Sequence, residues 1–187
     1  MKLNMGCGHN KLQGYVNVDI APECSPDIVC DLEVTPWPWS DSSIDEVIFI
    51  HSLEHLGQSP RVFLAMMKEL YRICKPDARI RIHAPHPRND NFINDPTHVR
   101  PITPDMLGLF NRALNDEWKR TKIANTPLAH YLDVDFHVVE LHVVLTEPYA
   151  TQYGEALLSE TEVAKMAREL NNVVSEYRIV VVARKHD

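Results

Sequence analysis

Three groups of residues in this chain could do chemistry. Gly6-Cys7-Gly8 closes the short run Lys2-Leu3-Asn4-Met5, and glycines there let backbone approach a ligand with no Cβ in the way. Asp19 ends a second run, Tyr15-Val16-Asn17-Val18-Asp19-Ile20, and a carboxylate at a strand tip accepts hydrogen bonds from paired ribose hydroxyls. A bare Gly-x-Gly is more often a plain turn, so the pairing with Asp19 carries the nucleotide reading. Asp31, just past Asp27-Ile28-Val29-Cys30, and His51, just past Glu46-Val47-Ile48-Phe49-Ile50, add two more polar groups at run ends.

The second group is His51-Ser52-Leu53-Glu54-His55, which matches the inverted zinc-protease pattern H-x-x-E-H. That chemistry needs both histidines on one helix face and a third ligand downstream. Here His51 directly follows an apolar run, and Gly57 and Pro60 interrupt soon after, so the spacing predicts no such helix and no metal site; His55 is expected to shape the rim. The third group is His83, His86 and His98 with Asp90 and Asp95. Histidine titrates near neutrality, so His86 and His98 are candidate general bases or acceptor contacts. The competing reading is a loop whose side chains satisfy its own backbone. The spacing is not diagnostic of a metal. Tyr131 and His137, around Asp133 and Asp135, are further acceptor-side candidates that the sequence does not decide.

These residues must be positioned by elements that alternate. The runs ending at Met5, Asp19, Cys30 and Ile50 predict strands, the last buried on both faces. Ser59-Pro60 opens a helix on which Phe63, Met67, Leu70 and Cys74 recur at helical spacing, with Pro76 as its stop. Ala78–Ala84 alternates, Ile80 and Ile82 against Arg79, Arg81 and His83. Arg88–Pro104 reads as a polar loop, Thr103-Pro104-Asp105 as the start of a helix through Phe110, and 115–130 gives no clear pattern. Val138–Leu145 and Tyr177–Ala183 predict closing strands, and Ser159-Glu160-Thr161-Glu162 caps a helix over Glu160–Asn171. Alternation of this kind implies a mostly parallel sheet covered by helices, with ligands beyond the carboxyl ends of its strands. Asp19, Asp31 and His51 are therefore expected on one rim. Trp37 and Trp39 are expected to anchor a loop on the core, and Cys7 to be a small buried residue.

At 187 residues, 44% hydrophobic and 24% charged, the chain reads as a single domain over 1–187, with 88–135 as an acceptor-side region. A net charge of −7 disfavours a nucleic-acid partner. No apolar run is long enough for a bilayer, and the start is unlike a signal peptide. Four cysteines without metal-ligand spacing fit reduced thiols, hence a cytoplasmic location.

The runs Leu3–Gly8, Gly14–Asp19, Cys30-Asp31-Leu32, Ser43–Ile48, His51–Leu56, Glu69–Pro76 and Asp95–Arg100 together resemble the class I S-adenosylmethionine-dependent methyltransferases, in particular the small bacterial type that begins at the glycine motif. The resemblance covers roughly residues 1–110 and is loose beyond. It implies a Rossmann-like, mostly parallel sheet with helices on both faces and an antiparallel closing strand. It implies S-adenosyl-L-methionine as cofactor, leaving as S-adenosyl-L-homocysteine. Met5, Gly6, Cys7 and Gly8 would then face the cofactor, Lys11 its carboxylate, Asp19 and Ile20 the ribose, Asp31 and Leu32 the adenine, and His51 and Leu53 the sulfonium and acceptor. Asn4 stands where the wider superfamily often has an acid, and the third glycine of the long motif is missing. The link from Gly6 to Gly14 is too short for a crossover helix. The site is therefore expected to be open, completed by the 86–100 loop, by substrate, or by a second subunit in a homo-oligomer.

The activity expected is methyl transfer to an oxygen or nitrogen of a small-molecule or sugar-type acceptor, by in-line displacement with His86 or His98 as base. A scaffold that binds the cofactor without turnover is the alternative. A zinc hydrolase using His51, Glu54 and His55 is a remote one, as is an unrelated dinucleotide enzyme.

Overall fold

The computed structural model describes residues 1–185. Its strands are β1 (Lys2–Met5), β2 (Val16–Asp19), β3 (Ile28–Val29), β4 (Ile44–Ile50), β5 (Cys74–Pro85), β6 (Phe136–Leu145) and β7 (Val174–Ala183). Its helices are α1 (Pro60–Ile73), the short α2 (Asp90–Ile93) and α3 (Pro104–Gly108), α4 (Arg112–Thr121), α5 (Leu128–Leu132), α6 (Tyr149–Gly154) and α7 (Glu160–Glu169). The seven strands form one sheet in the order β3-β2-β1-β4-β5-β7-β6. β1 to β5 run parallel, and β7 is antiparallel to both β5 and β6.

One face of the sheet carries the core. Leu3 and Met5 of β1, Val18 of β2, Val47 and Phe49 of β4 and Ile80, Ile82 and Ala84 of β5 are all buried there. They share a hydrophobic cluster with Phe63, Met66, Met67, Leu70 and Ile73 of α1. Full burial of side chains of this size stabilises by about 1.5–3 kcal/mol each, so α1 is held by its apolar stripe. Trp37 and Trp39 join the same cluster, and the Trp37 indole N–H donates to the Leu32 carbonyl at 3.0 Å.

The opposite face sets polar side chains of β4 and β5 beside the buried Ile48, Val180 and Val182. Period-two alternation on β5 turns Arg79, Arg81 and His83 away from the core, as their sequence positions predict. Glu46 of β4 is the hub of that face: its carboxylate takes Lys2 at 2.8 Å, Arg81 at 2.7 Å and the Tyr15 hydroxyl at 2.8 Å. Burial alone would raise the Glu46 pKa. The three donors outweigh it and hold the carboxyl down at about 2.

α1 does not run to Pro76. It ends at Ile73, and Cys74 turns extended to open β5. Pro76 lies inside β5 because the ladder with β4 jumps from the pair Ile44–Cys74 to Glu46–Arg79. The residues between bulge out, with Asp77 left-handed at φ +61°, and there a missing N–H costs no ladder bond.

The connection from β1 to β2 contains no helix, as its length requires. It is pinned instead by two buried amides. Asn4 Nδ2 donates to the Asn10 carbonyl at 2.9 Å and to Asn17 Oδ1 at 3.0 Å. Asn17 Oδ1 accepts the Leu12 N–H at 2.8 Å, and Asn17 Nδ2 donates to Asp27 Oδ2 at 2.8 Å. Asn4, at the position where the wider superfamily often has an acid, therefore serves as an anchor for this connection.

Candidate functional site

Because β3, β2, β1 and β4 are parallel neighbours, their carboxyl ends lie along one rim in the order Asp31, Asp19, Gly6, His51. The expected convergence of these residues is what the topology produces. Each is fixed by local backbone. The Gly6 and Cys7 N–H groups both donate to the Val18 carbonyl, at 2.9 and 3.0 Å, folding the turn over the end of β2. Gly6 is left-handed (φ +67°), and a Cβ built on it would stand 2.5 Å from the Ser52 Cβ. Gly8 is also left-handed (φ +48°), yet nothing lies within 4 Å of its Cβ position. The backbone at Gly8 is thus bare toward solvent, at the place where a ligand could lie against it.

Asp19 ties this turn to β2. Its Oδ2 accepts the Gly8 N–H at 2.7 Å and its Oδ1 the Ala21 N–H at 2.9 Å. A carboxylate has about four lone-pair positions, so capacity for two hydroxyl donors is left. Asp31 Oδ1 accepts the Glu33 N–H at 2.9 Å, leaving Oδ2 for a donor such as an adenine amino group. Cys7 is buried, and burial first, then the Asp19 charge, pushes its thiol pKa up, so it is an inert packing residue. Met5 and Leu53 are fully buried, and Leu32 nearly so; they can present only backbone to a ligand. Ile20 is exposed. The Lys11 ammonium donates to the Ser25 carbonyl at 2.7 Å, bracing one loop on another.

His51 leaves β4 with φ +49°. Its Nε2 is 2.9 Å from Glu176 Oε2, and its Nδ1 is 3.7 Å from Glu54 Oε1, beyond hydrogen-bond reach but close for charge. These acids, Glu54 foremost, raise the His51 pKa. Residues 53–55 form a single 3-10 turn, so His51 and His55 do not share a helix face. That turn receives the downstream loop: the Glu54 carbonyl accepts N–H bonds from Val99 (2.9 Å) and Arg100 (3.1 Å). The result is a cavity of about 420 Å³ beside His51, lined among others by Glu54, His55, Asp95, His98 and Glu176.

The two candidate bases separate here. His98 lines this cavity. His86 is buried against the Tyr177 ring, its Nδ1 accepts the Arg88 N–H at 3.1 Å, and burial lowers its pKa. Tyr131, Asp133, Asp135 and His137 belong to the opposite edge of the sheet, since Phe136 pairs with Ala183 at the far end of β7. Sequence reasoning did not single out Glu176, which arrives on the antiparallel strand more than a hundred residues after His51, with no local signal to mark it. A second cavity, between β6 and α7, is lined mostly by apolar side chains.

No protein-family model matches the chain, and no curated protein matches it by sequence. Solved structures do resemble it. A SAM-dependent methyltransferase from Archaeoglobus fulgidus superposes with a TM-score of 0.61 at 18% identity, over 97% of this chain and 85% of that one. One from Methanosarcina mazei gives 0.55 at 15% identity, over 99% and 92%. The [4+2]-cyclase SpnF gives 0.52 at 13% identity, over 100% and 75%. The chain has the class I methyltransferase fold, Rossmann-like, with a seven-stranded, mostly parallel sheet and one antiparallel closing strand. SpnF illustrates that this fold is not tied to one reaction, so function has to be argued from the site. Among the described residues no helix is long and apolar enough to cross a membrane.

Proposed function

We propose that the chain is an S-adenosyl-L-methionine-dependent methyltransferase acting on an oxygen or nitrogen of a small-molecule or sugar-type acceptor. The observation that carries this reading is the Gly6-Cys7-Gly8 turn bonded to Asp19 at the carboxyl ends of parallel strands, with the backbone at Gly8 open. The residues fit the cofactor. Asp19 would take the ribose hydroxyls, Asp31 Oδ2 the adenine amino group, and the bare glycine backbone the methionine portion. When bound, the cofactor supplies an electrophilic sulfonium methyl.

The protein's part is placement and proton handling. His51 stands where β4 meets both the rim and the cavity. With Nε2 held by Glu176, its Nδ1 side can take a proton from an acceptor hydroxyl or amine. The 420 Å³ cavity has room for a monosaccharide-sized group and offers it carboxylates and imidazoles as partners.

Calorimetric titration with S-adenosylhomocysteine tests the reading. Micromolar binding by the parent, weakened by about 1.5–3 kcal/mol in Asp19→Asn through loss of charge-assisted bonds, supports it. No binding by a protein that melts cooperatively sinks it. Binding with no methyl transfer across a panel of hydroxyl and amine acceptors would favour the non-catalytic scaffold.

A further inference from the structure

Glu54 is the least expected residue in the molecule. It is completely buried, and neither carboxylate oxygen has a hydrogen-bond partner. Buried carboxylates are normally neutralised by a cation or satisfied by donors. Around it stand imidazoles: His51 Nδ1 at 3.7 Å from Oε1, and the rings of His55 and His98, which meet edge to face at 4.5 Å. One ligand atom from each of Glu54, His55 and His98 falls within 4.8 Å of the other two.

The hydrogen bonds at Nδ1 of the His55 and His98 rings fix which nitrogen is free for a metal. The Thr97 hydroxyl donates to Asp95 Oδ1 at 2.6 Å, so its proton is spent. His55 Nδ1, 2.9 Å from that hydroxyl oxygen, must therefore be the donor, which leaves a lone pair on Nε2. His98 Nδ1 lies 2.9 Å from the Phe92 carbonyl, which can only accept, so His98 Nε2 likewise carries a lone pair. With neutral rings the pocket thus gathers two imidazole lone pairs and a carboxylate free of hydrogen bonds, three electron-pair donors for a metal. Each imidazole is braced from behind in the manner of a metal ligand: His55 by the Thr97–Asp95 relay, His98 by a backbone carbonyl.

We propose that Glu54, His55 and His98 bind one divalent first-row transition-metal ion. Two nitrogens and one oxygen suit Zn²⁺ and its neighbours better than Mg²⁺ or Ca²⁺, which prefer all-oxygen shells. Metal–ligand bonds of about 2.0–2.2 Å need the three atoms roughly 3.3 Å apart, a side-chain adjustment of about an ångström. Three protein ligands leave a position open toward the 420 Å³ cavity, as in sites that engage a small molecule. A metal-bound His98 has no lone pair for a proton, which leaves that role to His51. The metal set differs from H-x-x-E-H, because His98 takes the place of His51. The inference does not depend on how the glycine rim is used.

The test uses the full chain, stripped with a chelator and titrated with Zn²⁺ by calorimetry and with Co²⁺ by visible absorption. One saturable equivalent is expected, with a Co²⁺ spectrum of low coordination number. Glu54→Gln and His98→Ala should each weaken binding a hundredfold or more, and Thr97→Val about tenfold. Cys24→Ser should leave it unchanged, which separates the site from the Cys24–His9 contact at 3.9 Å. A second readout guards against misfolding. Without metal, Glu54→Gln should still melt in one cooperative transition, because neither carboxylate oxygen makes a hydrogen bond that the substitution breaks, and Zn²⁺ should raise the melting temperature of the parent only. Absence of saturable uptake, or uptake and thermal stabilisation that persist in Glu54→Gln and His98→Ala, would overturn the proposal.

Discussion

Replacing the two glycines of the turn one at a time should separate folding from binding. Gly6→Ala places a methyl at φ +67° and 2.5 Å from the Ser52 Cβ. The left-handed conformation costs an alanine about 1–2 kcal/mol, and overpacking against a buried neighbour adds about 1–3 kcal/mol. Moving Ser52 aside also endangers its hydroxyl bond to the Met5 carbonyl, 2.8 Å long and worth about 1 kcal/mol. The sum is about 3–6 kcal/mol, a large part of a typical stability of about 5–15 kcal/mol. Gly8→Ala has the conformational cost alone, about 1–2 kcal/mol, because its Cβ meets nothing. Urea unfolding followed by tryptophan fluorescence would read the difference as a midpoint shift at constant m-value. Ser52→Gly in the Gly6→Ala background should recover the overpacking share, a coupling that a double-mutant cycle isolates. Binding should rank the other way among folded proteins: Gly8→Ala keeps the fold but sets a methyl in the space proposed for the cofactor, so its affinity for S-adenosylhomocysteine should fall sharply. Equal destabilisation by the two alanines, or no recovery on adding Ser52→Gly, would refute the packing argument.

Two further predictions concern the polar framework. Asn17→Ala removes the acceptor of the Leu12 N–H and the partner of Asn4, so a part-buried and a buried donor lose bonds at about 1–3 kcal/mol each; a loss of about 3 kcal/mol in chemical denaturation is expected, and less than 1 kcal/mol would mean that water replaces the network. Glu46, depressed from 4.5 to about 2 in the folded protein, contributes stability that is complete above pH 4.5 and lost as pH falls toward 2. Because its partners Lys2 and Arg81 are half exposed, that share is on the order of 2 kcal/mol. Glu46→Gln should therefore be less stable than the parent at pH 7, with the gap closing by pH 2; a gap that is constant across this range would assign the effect to packing.

Much of this fold could be read from the chain because its strands and its longest helix carry strong local signals. The runs around Leu3, Val18 and Phe49 end in turn or polar residues, Ser59-Pro60 opens α1, and Ser159 with Glu162 makes the capping box of α7. α4 and α5 were opaque for a physical reason. The residue that α4 buries is Asn115, whose amide donates to the Leu109 carbonyl and accepts from the Ala129 N–H, so the helix is anchored by hydrogen bonds and leaves no apolar period. Pro76 misled because a bulge can host a proline that a regular strand cannot. In the site, the rim followed from strand ends alone. The meeting of His55 with His98 did not, since it depends on a 3-10 turn accepting the loop of Val99 and Arg100 some forty residues later.

The helix-free connections on the first half of the sheet bear on the order in which the molecule assembles. Between β1 and β4 the chain forms no α-helix, while β1 must find β4 across more than forty residues to make pairs such as Lys2–Glu46. The β4-α1-β5 unit pairs over 30 to 33 residues, from Ile44–Cys74 to Ile50–His83, around a 14-residue helix. Distant pairings are slow because loop-closure entropy is spent before contacts repay it. The β4-α1-β5 unit, whose two strands share a packed helix, is thus the natural nucleus, and the strands bearing Gly6, Asp19 and Asp31, which pair locally with one another but have no α-helix between them, join it late. By the same token they open first in the native state, and amide exchange should be fastest there. A ligand laid across that rim clamps strands whose connections carry no α-helix, so occupancy would register first as slowed exchange at the amino-terminal end of the chain.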